Sequence, residues 1–166
     1  INYSEIEITD KVVLFLGINR STYYTKGISF FEKAIEIIRE KYPDKVEVII
    51  AENLPYQEYI SLYDRAHIVL DQVYGFDQGY NALEAMAKGK VVFTGAENEF
   101  TKHYNLTEPV AINALPDVDS LVNELSFLIE NAAGIIAIGK RARTFIEKEH
   151  HYTKIAEKYL EAWKKL

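Results

Sequence analysis

Gly75, Gly79 and Glu84 fall in one stretch, Ile68 to Gly95, that reads IVLDQVYGFDQGYNALEAMAKGKVVFTG. The chemistry open to such a stretch is anion binding. Ile68, Val69 and Leu70 form a short apolar run ended by Asp71, the two glycines bracket a polar turn, and the spacing of Ala82, Leu83, Met86 and Ala87 predicts a helix. Gly89 stops that helix, and Val91, Val92 and Phe93 begin the next strand. In a parallel α/β sheet such loops leave the carboxyl ends of strands beside helix N-termini, where unpaired N–H groups and the helix dipole attract phosphates. The same spacing also describes an ordinary crossover whose glycines only turn the chain.

Other residues could join that loop. Lys26 sits at the mouth of the first strand-to-helix connection, where a cation could pair with a diphosphate. The bland reading is a solvated lysine at a helix start, which the helix dipole disfavours. Arg20 either reaches in or is solvated. Asn53, Leu54 and Pro55 follow the second strand at the sheet's carboxyl edge, and Asp71-Gln72 either orients the glycine loop or is structural. Glu84 lies early in its helix, where a carboxylate also serves as a cap. Of the 12 tyrosines most suit half-buried packing, while Tyr74 and Tyr80, flanking the loop, are best placed to face a ligand. The 4 histidines show no metal-ligand spacing.

The elements that must carry these groups alternate. Val12 to Leu16, ended by Gly17, reads as a strand buried on both faces, and a polar loop follows from Ile18 to Thr25. Lys26-Gly27 opens a helix with Phe30, Phe31, Ala34, Ile35 and Ile38 on one face. Val46, Val48, Ile49 and Ile50 give a second strand, and Pro55 starts a short helix bearing Tyr59, Ile60 and Tyr63. After the central stretch, Val110–Ile112 makes a last strand and Pro116-Asp117 precedes a helix with Leu121, Leu125, Leu128 and Ile129. Gly134 and Gly139 weaken a mostly helical 135–149, and Tyr152–Leu166 is a further helix with an Ile155, Tyr159, Trp163 stripe. This order predicts a Rossmann-like three-layer α/β/α domain with a parallel sheet.

ALEAMAKGKVVFTG is similar to the donor-site motif of retaining, group 1 type glycosyltransferases with the GT-B fold, and the order of elements resembles the C-terminal, donor-binding half of that fold. The resemblance implies that Gly79 and Tyr80 lie in the loop whose amides hold the donor's diphosphate, and that Glu84 takes the ribose hydroxyls. It implies that Lys26, followed by glycine, faces the diphosphate, and that backbone groups near Asn53 and Leu54 hold the base; Ile18 stands where the family often has an arginine after the strand-ending glycine, which leaves Arg20 either to reach in or to be solvated. The chain departs from the family at Phe76, where a first glutamate eight positions before Glu84 usually contacts the sugar; Asp77 is the adjacent substitute. The implied activity is hexosyl transfer from a nucleoside diphosphate sugar to an acceptor hydroxyl, in polysaccharide or glycolipid biosynthesis, with retention at the anomeric carbon and no metal or other cofactor.

Because the chain begins at Ile, the resemblance further implies a piece of a longer protein. Residues 1–10 would be a linker from an N-terminal acceptor domain, 11–149 the nucleotide-sugar-binding domain, and 150–166 a C-terminal helix that either crosses back to that partner domain or packs on its own sheet. The fragment alone is expected to be inactive. A net charge of −6 without a basic run argues against nucleic-acid partners, and 48% hydrophobic residues over 166 suffice for one core. No apolar run is long enough to span a membrane, so membrane contact is expected only through the partner domain. The lack of cysteine fits a cytoplasmic protein. Two other readings compete. A phospho-acceptor receiver would use Asp71 and Thr94, but Gly17-Ile18-Asn19-Arg20 lacks the acidic pair that binds Mg²⁺ and Asn113 stands where a lysine is needed. A sugar-nucleotide epimerase would use the same fold.

Overall fold

The apolar runs become the strands of one parallel sheet. In the computed structural model, which describes Tyr3 and residues 6–164, β1 (Val12–Ile18), β2 (Val46–Glu52), β3 (Ile68–Leu70), β4 (Val91–Thr94) and β5 (Ile112–Asn113) lie in the order β2-β1-β3-β4-β5. Every neighbouring pair is parallel, with Leu16 opposite Leu70 and Leu70 opposite Phe93. β1, to Ile18, and β4, to Thr94, run slightly past Leu70, the end of β3. The order reverses direction between β1 and β3, which is where a doubly wound sheet opens a crevice.

Alternation along the strands feeds two cores. Leu14, Leu16, Leu70 and Phe93 point toward α2 (Ile28–Lys41) and α6 (Val118–Glu130), whereas Val13, Phe15, Val69 and Val92 point toward α3 (Tyr56–Asp64) and α4 (Tyr80–Ala87). The long helix α7 (Ala132–Glu149) closes both, with Ile135 and Ile138 in the first and Ala142 and Phe145 in the second. It runs unbroken through two glycines. Asn131 Oδ1 caps the Gly134 amide at 3.1 Å, and a Cβ on Gly139 would fall 2.0 Å from the Gly89 carbonyl oxygen, so that glycine lets the α4–β4 turn touch the helix.

Several boundaries differ from the sequence reading. β1 continues through Gly17 to Ile18, because the ladder with Ala51 and Glu52 holds it extended. The expected loop before Lys26 contains a 3-10 turn at Arg20–Thr22, capped by Asn19, and the short helix α1 (Tyr23–Lys26). The last strand is Ile112–Asn113 rather than 110–112, and α5 (Asn98–His103) was not anticipated, since six residues show too little periodicity. Of the expected linker, residues 1, 2, 4 and 5 lie outside the described residues, but Ile6 and Ile8 pack against the first core. Residues 165 and 166 of the terminal helix also lie outside them. α8 (Tyr152–Trp163) has no buried residue, and Tyr159, Leu160 and Trp163 are exposed. No single helix among the described residues is long and apolar enough to cross a membrane.

Two predictions follow from burial. Lys90 is 3% exposed and donates to the backbone oxygens of Asp64 (2.9 Å) and Ala66 (2.7 Å). Burial lowers its ammonium from 10.5 to about 8, outweighing the pull of Asp64, and Lys88 adds to the depression. Above pH 8 the unfolded chain holds a proton that the folded one releases, so stability should rise by about 2 kcal/mol between pH ~8 and ~10. Near pH ~10 tyrosines of the unfolded chain ionise, while burial keeps Tyr63 protonated in the fold, and the gain reverses. Urea unfolding across that window should show the rise in wild type and a flat profile in Lys90→Met. The other prediction concerns Trp163: at 68% exposure its fluorescence should be quenched by acrylamide as readily as that of a free indole, and protection in dilute monomer would contradict the exposed helix.

Candidate functional site

The carboxyl ends of β1, β3 and β4 converge on one carboxylate. Asp71, the residue after β3, has a side chain 1% exposed. Its Oδ1 accepts from Lys26 Nζ at 2.7 Å and from Asn81 Nδ2 at 3.1 Å, and its Oδ2 accepts from Thr94 Oγ1 at 3.3 Å. Each partner arrives from a different element: Lys26 from α1, Asn81 from the first turn of α4, and Thr94 from the end of β4. Asp71 is thus engaged by three donors rather than free.

Local backbone fixes Lys26. It ends α1, and Gly27 joins α1 to α2 with φ at 66°, the left-handed region that glycine enters without strain. A Cβ there would also lie 2.3 Å from Val73 Cγ2, while the Val73 amide donates to the Lys26 carbonyl at 3.0 Å. As the sequence reading expects, Lys26-Gly27 leads into the helix bearing Phe31, Ile35 and Ile38, with Gly27 as the N-cap of α2; Lys26 also closes the short α1, whose dipole suits its charge.

α4 begins bare. Gly79 is its N-cap, with φ −71° and ψ 171° and no side-chain cap, and nothing lies within 4 Å of where a Cβ would be. Neither backbone conformation nor packing requires glycine here. What glycine supplies is an uncovered helix N-terminus, whose first amides lack intrahelical acceptors. The preceding loop is held by Gln72 Nε2, which donates to the Asp77 carbonyl at 2.9 Å, and by Gln78 Nε2, which donates to the Gly95 carbonyl.

The expected site residues do not share one hollow. A first opening of about 420 Å³ is lined by Lys26, Asn53, Leu54, Tyr59, Asn81 and the end of β1. A second, of about 560 Å³, is lined by Gly79, Tyr80 and Glu84 together with Ile146, His150 and Ile155. The α4 N-terminus contributes residues to both. Lys26 and Glu84 therefore line different openings. A link remains at Tyr59, whose hydroxyl is pushed up by burial and then by the charges of Glu84 and Asp71.

The remaining residues divide. Asn53 holds a left-handed φ of 53°, tolerated by asparagine, as the chain leaves β2. Leu54 packs partly on the second core. Arg20 does not line the first opening; its Nε and Nη2 donate to Glu52 at 2.5 and 2.7 Å, which holds the Glu52 carboxyl below its ordinary range. Glu84 lies in the second turn of α4, too far along to cap, and pairs loosely with Lys88 at 3.7 Å. Asp77 and Phe76 are exposed, and Tyr80 is 93% exposed. Tyr74 is exposed but leans edge-on against Phe30 at 6.0 Å. Sequence reasoning missed Asn81 and Tyr59. Asn81's only signal was a polar residue between Tyr80 and Ala82 at the opening of an apolar helix.

Known proteins bear on this arrangement. The chain matches a family model described as glycosyl transferase-like over residues 24–161. No curated protein sequence matches it. Among solved structures, the C-terminal domain of a glycosyl transferase group 1 family protein from Francisella tularensis superposes with a TM-score of 0.61 at 18% identity, covering 85% of this chain and 87% of that one. Sucrose-phosphate synthase from Thermosynechococcus elongatus gives 0.65 at 20% identity, over 95% of this chain and 45% of that one. A variant of S. aureus TarM in complex with fondaparinux, alpha-GlcNAc-glycerol and UDP gives 0.66 at 16%, over 97% and 37%. The chain thus spans less than half of each of the last two proteins, and at these identities they speak to the fold. With the doubly wound sheet and the family match across α1 to α8, the chain belongs to the glycosyl transferase-like family as a GT-B-type, Rossmann-like domain.

Proposed function

We propose that this domain binds a nucleoside diphosphate sugar as donor for transfer to an acceptor hydroxyl, in the assembly of a polysaccharide or glycolipid. The observation that carries the reading is the uncovered N-terminus of α4 at Gly79, open to solvent, with Asn81 of the same first turn sharing an Asp71 oxygen with the Lys26 ammonium. A diphosphate seated there would meet helix amides and a cation together. The nucleoside would run across Tyr59, with Glu84 accepting from the ribose hydroxyls and the base near Asn53 and Leu54.

In the transfer step the acceptor oxygen bonds to the anomeric carbon, the bond from that carbon to the phosphate oxygen breaks, and the diphosphate leaves with the electron pair. The acceptor's proton passes to a base outside this domain. The work assigned to this chain is stabilisation of negative charge on the leaving oxygen by Lys26 and the first amides of α4, and we propose that no metal ion is required. The acceptor site belongs to a second domain, and the segment alone transfers no sugar. Arg20, committed to Glu52, plays no part in the resting site. A cytoplasmic setting, where nucleotide sugars are at hand, suits a chain without cysteine.

Two variants test the reading by calorimetric titration with UDP, GDP and ADP. Gly79→Ser adds a favourable N-cap and should leave the melting temperature unchanged or raised, yet weaken the best-bound diphosphate about tenfold by covering the amides. Glu84→Ala should remove charge-assisted hydrogen bonds worth about 1.5–3 kcal/mol and weaken binding tenfold or more. Wild-type affinity in Gly79→Ser would remove the diphosphate from the α4 N-terminus; wild-type affinity in Glu84→Ala would remove the ribose assignment alone.

A further inference from the structure

We propose that Asp71 is a positioning residue for the anion site: it holds the Lys26 ammonium and the Asn81 side chain in place before ligand arrives and keeps its hold on Lys26 when a diphosphate is bound. The inference rests on the donor-site reading above and adds a residue to it. Asp71 cannot itself meet a ligand, because its side chain is 1% exposed and both oxygens are occupied, Oδ1 by Lys26 and Asn81 and Oδ2 by Thr94. Its amide donates to the Phe93 carbonyl at 3.0 Å, so the carboxylate is fixed to the sheet from its backbone outward.

Lys26 is different. Its side chain is 30% exposed, lines the first opening, and among the described residues its Nζ has the single partner Asp71. An ammonium carries three donors, which leaves two for a ligand. A lysine with four rotatable bonds would otherwise sample many rotamers in water and lose that freedom on binding. Anchored at the backbone by Val73 and at the tip by Asp71, Lys26 loses it on folding instead. The same carboxylate draws Asn81 inward, which sets the first turn of α4 against the cation.

The sign of the effect separates this from a simpler account. If Asp71 merely added negative charge near an anion, removing its charge would strengthen diphosphate binding. Positioning predicts the reverse. Asp71→Asn, isosteric but neutral, should weaken the best-bound of UDP, GDP and ADP about tenfold, while the matching phosphate-free nucleoside binds as before. Lys26→Met should weaken the diphosphate at least as much, and the double variant by clearly less than the two single effects multiplied together, since Asp71 acts in part through Lys26 and in part through Asn81. Equal or tighter diphosphate binding by Asp71→Asn overturns the inference, as does additivity in the double variant. Should Asp71→Asn fail to fold, ¹⁵N-lysine NMR on the wild-type chain decides: Lys26 ammonium protons should exchange slowly and stay in contact with Asp71 both free and with the diphosphate bound. Loss of that contact on binding overturns the inference while leaving the donor-site reading intact. Absence of diphosphate binding by wild type removes the reading and the inference together.

Discussion

The site depends on one ion pair. Lys26 and Asp71 are 45 residues apart, and their contact at 2.7 Å ties the connection after β1 to the end of β3 at the point where the sheet's winding reverses. A buried carboxylate without a partner is costly, and breaking such a pair by removing one member costs about 3–5 kcal/mol. Three donors from three elements meet that need here. The constraint works outward from there: Asn81 can reach Asp71 only if α4 starts where it does, and Lys26 can reach it only if Gly27 turns the chain with its positive φ. The polar centre therefore fixes the loops, and the two apolar layers beneath fix the polar centre.

That arrangement explains why the site lies open beside α4. The hydrophobic strands β1, β3 and β4 end close together in register, so the groups near their ends are brought together without any loop having to be long. Gly79 then leaves the helix start uncovered. The second opening, on the far side of α4, is walled by Ile146, His150 and Ile155 of the C-terminal helices and holds Glu84. Residues of the first turn of α4 line both openings, Asn81 the first and Gly79 and Tyr80 the second.

Much of this was legible in the sequence, and the reasons are particular. The strands could be read because runs such as Val12–Leu16 and Val91–Phe93 are buried on both faces and so are continuously apolar. α2 and α6 could be read because Phe31, Ile35, Ile38, Leu121, Leu125 and Leu128 keep a helical period. The glycine loop and Glu84 were visible through spacing and family resemblance. Three things were not. Asp71-Gln72 reads as either orienting the glycine loop or structural, but nothing local reveals that Asp71 also pairs with Lys26, 45 residues away. Arg20's engagement with Glu52 is likewise a product of strand pairing, because β2 must lie beside β1 before the two side chains meet. The split into two openings depends on where α7 and α8 return, which no local pattern encodes.

The proposed contact of a diphosphate with the chain lies at the start of α4 and at Lys26. Backbone and lysine chemical shifts during titration with a nucleoside diphosphate test it most directly. The largest changes are predicted at the amides of Gly79, Tyr80 and Asn81 and at Lys26 Nζ, with a smaller change at Glu84. Changes centred instead on the distant surface between Tyr104 and Lys140, with the α4 amides unmoved, would contradict it.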